Sequence, residues 1–353
     1  MIRALVISHE LCLADVGVPC ATPAPWPTGP RRPVQGFTLP ELLVVIAIIS
    51  ILASAMMAGM ASVTQTAKED RTRTQIAKIH VLLMEKWESF QTRRMPVNSG
   101  LSAVLSAELR LAMVRELIRL EFPDRITDLE AVHNSLYRMP PTSLYKSYRR
   151  KVATLWGDDW DSVERRDQRI AEGAPQNWSY EHQGAECLYL ILSRLVVGDA
   201  SALEMFNESE IGDVDGDGMR EILDAWGTPV RLLRYPTGFA GSPLSLDPQP
   251  DPFDPMRVDS RHADNDATNN PYYILPLIVS AGPDGVFDLA FDLTSPVSYW
   301  NAGWFGRSSG TVYFHDPFNL FGVTEALGSW VDENSDSTDN SLDNIHNHLI
   351  AAR

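Results

Sequence analysis

Cysteine is scarce, with three in 353 residues. Cys12 and Cys20 precede the most apolar stretch and Cys187 stands alone after it, so a chain cut near residue 36 keeps no cysteine pair. An exported protein of that kind is held by its core, by bound metal or by its neighbours rather than by disulfides. Positive charge is scarce at the C-terminal end: residues 201–353 carry 24 acids against 7 bases, while 37–200 carry 20 of each and 1–36 carry 2 acids and 3 bases. That imbalance excludes a nucleic-acid surface and leaves cations or basic partners as companions. Signs of catalysis are also missing. There is no phosphate-cradling glycine loop, no HExxH order around His182 in "YEHQGAE", and no base placed to activate Cys187. Cys187 therefore reads as a small core residue, His346 and His348 read as surface residues of a polar tail, and the chain reads as something other than an enzyme.

Charge of either sign is absent from Leu42 to Ala67, 26 residues in a row. Roughly 20 apolar residues cross a ~30 Å hydrocarbon core as a helix, so the segment is long enough to span. Arg31 and Arg32 just before it hold that end in the cytoplasm. A buried core helix is the plain alternative, and a signal peptide cut near 53–58 is a second, although its apolar region would exceed the usual length. Beyond the span, Ile76, Ile79, Leu83, Trp87 and Phe90 recur at spacings of three and four, with Val81, Leu82 and Met84 widening the stripe, up to Pro96. One helix is thus expected from about Pro40 to about Arg94. Glu41 stands at the lip of the span, where an uncompensated carboxylate costs several kcal/mol unless it finds a cationic partner.

The stretch "GFTLPELLVVIAIISILA", 36–53, resembles the N-terminal processing and methylation motif of type IV pilins and type II secretion pseudopilins. The likeness rests on Gly36, Phe37, Thr38 and Leu39, on Glu41 at the fifth mature position, and on the unbroken apolar run. It implies that a prepilin peptidase cleaves after Gly36 and methylates the new amine of Phe37. It further implies that Glu41 attracts the amine of a neighbouring subunit during assembly. Pro40 suits the first turn of a helix, where its missing N–H is not needed. A leader of 36 residues is long for this family, and a start further along the chain is the preferred reading.

Residues 101–122 read as a second helix with Leu101, Val104, Leu105, Leu111, Val114 and Ile118 on its apolar face. Next come an insertion rich in charges of both signs, mobile or partly helical, and a short buried helix, "GAECLYLILSRL". In "GDVDGDGMREILDAWGTPV", Asp213, Asp215 and Asp217 hold the first, third and fifth places, Gly218 the sixth and Asp224 the twelfth. That spacing resembles a calcium-binding loop of the EF-hand or dockerin kind; an acidic turn is the alternative. Asp224, Trp226, Gly227 and Pro229 resemble the Asp-x-Trp-Gly-x-Pro turn of the major pseudopilin family, and "SAGPDGVFD" resembles that family's Ser-x-Gly-x-Asp-Gly element. Its carboxylates, Asp284 and Asp288 with Asp292 beyond, are further candidates for calcium. Between the two elements, 241–270 reads as a long loop.

The expected fold is α+β: a long transmembrane and amphipathic helix packed on a small antiparallel sheet, with large helical and loop insertions. Its expected divisions are a leader, 1–36; a transmembrane and assembly helix, 37–67; a helical region, 68–200; and an acidic β-rich region, 201–353. The resemblance implies a structural subunit of a type II secretion pseudopilus, single-pass in the inner membrane, with its C-terminal region periplasmic and assembled into a filament. Its implied partners are prepilin peptidase, other pilin-like subunits, an inner-membrane assembly platform and secreted cargo. A minor pilin of a type IV pilus, or an anchored periplasmic hydrolase or binding protein, are the alternatives.

Overall fold

The computed structural model describes residues 37–97, 100–129, 140–162, 178, 181–242, 249–263, 270–291, 326–333, 335 and 338–351. The leader, Gly36 and Asp292 lie outside these. The chain divides into two compact units at Ala58/Gly59. In the first, helix α1 (Leu39–Thr92) opens with Leu42 N donating to Thr38 O at 3.1 Å. Pro40 sits in this first turn, where no N–H is required.

In the second unit, the later half of α1 buries Ile76, Ile79, Leu83, Trp87 and Phe90, the stripe that the spacing predicts. Val81 departs from the expectation and is 69% exposed. At about 100° per residue it lies some 200° around the helix from Ile79, on the far face. Trp87 anchors the core, edge-on to Phe122, Phe253 and Tyr235 with ring centroids 5.4, 5.5 and 5.9 Å away. Such aromatic pairs add attraction beyond the apolar area they bury.

Helix α2 (Ala103–Glu121) is capped by Ser102, whose Oγ accepts from Leu105 N at 3.3 Å. Leu111, Val114 and Ile118 are buried as expected, whereas Val104 and Leu105 at the first turn are exposed. From Met113 onward α2 is enclosed, charges included. Arg115 reaches Asp259 at 2.9 Å and Asp251 at 3.4 Å, and Arg119 reaches Asp128 at 3.5 Å. Pairing of this kind is what allows charge to be buried. The loop 241–270 is thereby tied to α2 through two of its aspartates, and Asp254 adds bonds to the Val258 and Asp259 amides. The mixed-charge insertion contains a helix, α3 (Ser143–Trp156), capped by Thr142 and burying Tyr145, Tyr148 and Val152. The rest of that insertion, 163–170, lies outside the described residues.

Helix α4 (Gln183–Leu192) is the expected buried helix, and Cys187 within it is fully enclosed. It packs on strands β4 (Glu221–Ile222) and β5 (Arg231–Leu233). Gly184 makes this approach possible, since a Cβ there would lie 2.8 Å from Leu232 O. The strands are short and antiparallel. One hairpin pairs β1 (Val196–Val197) with β2 (Ala200–Ser201), and another pairs β3 (Ile211–Gly212) with β4. A three-stranded sheet orders β5, β6 (Leu277–Ser280) and β7 (Ile345–His346), with Leu232 opposite Ile278 and Val279 opposite His346. Helix α5 (His348–Ala351) follows.

The tail corrects the sequence reading. His346 and His348 are 8% and 3% exposed rather than on the surface. Both rings stand edge-on to Phe239, with centroids 5.0 and 5.4 Å away. Asn347 between them does the work of a strand's backbone. Its Oδ1 accepts from Ile278 N at 2.8 Å and its Nδ2 donates to Pro276 O at 2.9 Å.

Candidate assembly motif and metal centre

At the start of α1, Phe37 is 82% exposed, and the apolar side chains from Leu42 to Leu52 are exposed around the whole circumference. The helix is long and apolar enough to cross a membrane. Glu41 turns back on its own chain: its Oε2 accepts from Thr38 N and from Thr38 Oγ1, both at 2.8 Å. This closes one free amide of the first turn and sets a negative charge at the positive end of the helix. Both bonds fall on Oε2, which leaves Oε1 to a second partner.

The Asp-x-Trp-Gly-x-Pro and Ser-x-Gly-x-Asp-Gly elements meet through one residue. Asp224 Oδ1 accepts from Trp226 N at 2.8 Å and Thr228 N at 2.9 Å, while Oδ2 accepts from Ser280 Oγ at 2.6 Å. Gly227, at φ 92°, supplies the left-handed position of that turn. The turn is fastened to α1: Trp226 Nε1 donates to Gln65 Oε1 at 3.3 Å, Gln75 Nε2 to Leu223 O at 2.9 Å, and Ala225 N to Thr72 Oγ1 at 3.2 Å.

The aspartates of the acidic loop accept hydrogen bonds from the loop's own amides. Asp213 accepts from Gly216 N at 2.8 Å and from Gly218 N at 3.1 Å; Asp215 accepts from Asp217 N and Asp217 from Met219 N. Two groups of carboxylates among the described residues could hold a metal ion, with ligand oxygens within 4.8 Å of one another: Asp213, Asp215 and Asp217, and Glu186, Asp215 and Glu221. Asp224, Asp284 and Asp288 belong to neither group. Asp224 is consumed by its turn, Asp284 accepts from Val286 N at 3.0 Å, and Asp288 Oδ1 accepts from Glu333 N at 3.0 Å.

The sequence reading missed Glu186 and Glu221. Glu221 holds the ninth place of the loop and was legible as such, whereas Glu186 comes from α4 and carries no signal in the local spacing. Burial pushes the Glu186 carboxyl well above the usual range, with Asp217, Asp215 and Glu221 pushing the same way. Burial likewise pushes Glu221 up to about 8, helped by the three aspartates and opposed by its bond from Val214 N. Cys187, by contrast, has its thiol raised chiefly by burial and has the character of an inert core residue.

Residues 31–57 match a known family, described as the prokaryotic N-terminal methylation motif. No curated protein and no solved structure matches the chain. The chain thus carries a prepilin-like N-terminal methylation motif of the kind found in the type IV pilin and pseudopilin superfamily.

Proposed function

We propose that this chain is a structural subunit of a type II secretion pseudopilus, acting by assembly and not by catalysis. A prepilin peptidase cuts it after Gly36 and methylates the amine of Phe37. Helix α1 anchors it in the inner membrane with the N-terminal end cytoplasmic, an orientation that Arg31 and Arg32 favour, and the rest of the chain lies in the periplasm. An inner-membrane assembly platform draws subunits from the bilayer into the filament, where the second unit meets other pilin-like subunits and secreted cargo.

The observation that carries this reading is the methylation motif, 31–57, overlapping the start of a helix whose apolar side chains are exposed from Leu42 to Leu52. In hydrocarbon the Glu41 carboxylate needs a counter-charge, and the amine of a neighbour's Phe37 supplies one, fixing axial register. The contact between Asp224 and Ser280 supports the secretion branch, because it joins the two elements that resemble a major pseudopilin. Calcium is the cation proposed for the acidic loop, whose donors are all hard oxygens.

Replacing Glu41 tests the assembly step. Glu41→Val should be cleaved normally yet enter the filament fraction about tenfold less than wild type, the loss expected when about 1.4 kcal/mol of pairing is removed. Incorporation at the wild-type level would contradict the reading.

A further inference from the structure

Glu186 and Glu221 are both fully buried, and each keeps one idle oxygen. Glu186 Oε2 accepts from Trp178 Nε1 and Glu221 Oε2 accepts from Val214 N at 3.2 Å, but Oε1 of each has no hydrogen-bond partner. Among the described residues neither is paired with lysine or arginine; each faces other carboxylates instead. A buried acceptor without a partner costs about 1–3 kcal/mol, and more if it is charged. Buried arginines in the same fold do meet opposite charge: Arg115, Arg119 and Arg234 all lie against aspartates. Glu186 and Glu221 stand close together without such a counter-charge.

We infer that a hard divalent cation, calcium, sits on the buried side of the acidic loop, held by Glu186, Asp215 and Glu221, and clamps helix α4 to the β3–β4 hairpin. Calcium binds oxygens at about 2.3–2.6 Å, so ligands on opposite sides of the ion stand about 5 Å apart or less. The oxygens of these three residues lie within 4.8 Å of one another. Their donors are all carboxylate, without the nitrogen or sulfur that would favour zinc. Asp215 also belongs to the group with exposed Asp213 and buried Asp217, so those two aspartates add negative charge beside the ion. The chain between α4 and the hairpin contains no disulfide, and the only described cysteine is buried Cys187. The ion would thus supply a cross-link that the sequence otherwise lacks.

This inference rests on the cation reading of the loop and not on assembly through Glu41. It is tested on the full-length protein in detergent, stripped with EDTA and titrated with terbium while tryptophan is excited. The indole of Trp178, bonded to Glu186, is placed to sensitise an ion bound there. Expected are a saturable emission displaced by calcium and a calcium-induced rise in Tm of about 5 °C or more at a hundredfold excess over Kd. Glu186→Gln and Glu221→Gln should each weaken binding at least about tenfold, the effect of losing about 1.4 kcal/mol of ligand interaction. Both should melt in EDTA no lower than wild type, because a neutral amide replaces a carboxylate without a counter-charge. Should one variant fail to fold, the other decides. Unchanged affinity in both, with binding lost in Asp213→Asn and Asp217→Asn, would overturn the inference and leave the ion in the outer loop. No terbium or calcium binding by wild type would overturn the inference and the cation reading together.

Discussion

The fates of single residues show where sequence spacing stops being informative. Asp224 stands at the place where a calcium loop has its last carboxylate, yet its oxygens are taken by a turn and by Ser280. Asx turns and metal sites draw on the same residue types, and only the backbone conformation decides between them. Glu186 lies 27 residues before the loop begins and reaches it only through tertiary packing. His346 and His348 looked like polar surface residues because histidine in a polar tail usually is one; here Phe239 and β6 enclose them. Burial holds both rings well below the ordinary 6.5, to about 4, with His346 adding to the effect on His348. The unfolded chain takes up protons below about 6.5 while the folded one resists, so this share of stability is complete above 6.5 and falls away as pH drops toward 4. Comparing denaturation of wild type and His348→Leu at pH 7.5 and 4.5 removes the carboxylate contribution common to both. The wild type should lose more stability on acidification; equal losses would contradict the burial argument.

Elements were legible in proportion to their length. The 54 residues of α1 follow a period that survives any local exception, and its buried stripe is the one that the spacing predicts. The misplaced residue, Val81, is instructive because hydrophobicity alone put it on the stripe and helical angle removes it. Ile79→Ala should therefore cost about 2–5 kcal/mol, the range for truncating a buried aliphatic side chain, while Val81→Lys should stay within about 0.5 kcal/mol. Urea unfolding midpoints of the two variants check this, and similar losses in both would mean that the packed face of α1 is wrongly assigned. Strands of two residues carry too little pattern to be found in advance. β7 is the clearest case: a side chain, Asn347, supplies part of its pairing to β6. The Asp-x-Trp-Gly-x-Pro and Ser-x-Gly-x-Asp-Gly segments could be read one by one, but their junction through Asp224 could not.

Across the whole molecule, two regions have opposite chemistry. The first unit exposes apolar side chains on every side of a helix, a surface suited to lipid and to other helices; the second encloses an aromatic core and carries the excess of acid. The methylation motif belongs to the first and the carboxylate groups belong to the second. The proposed subunit, processed and packed through its first unit and holding a cation in its second, would use both chemistries. The most direct measurement is intact mass and N-terminal sequencing of the protein recovered from its native membrane, repeated in cells lacking prepilin peptidase. A mature N-terminus at methylated Phe37, absent without the peptidase, is the predicted result. An uncut chain, or one cut near Ala55 by signal peptidase, would contradict the account.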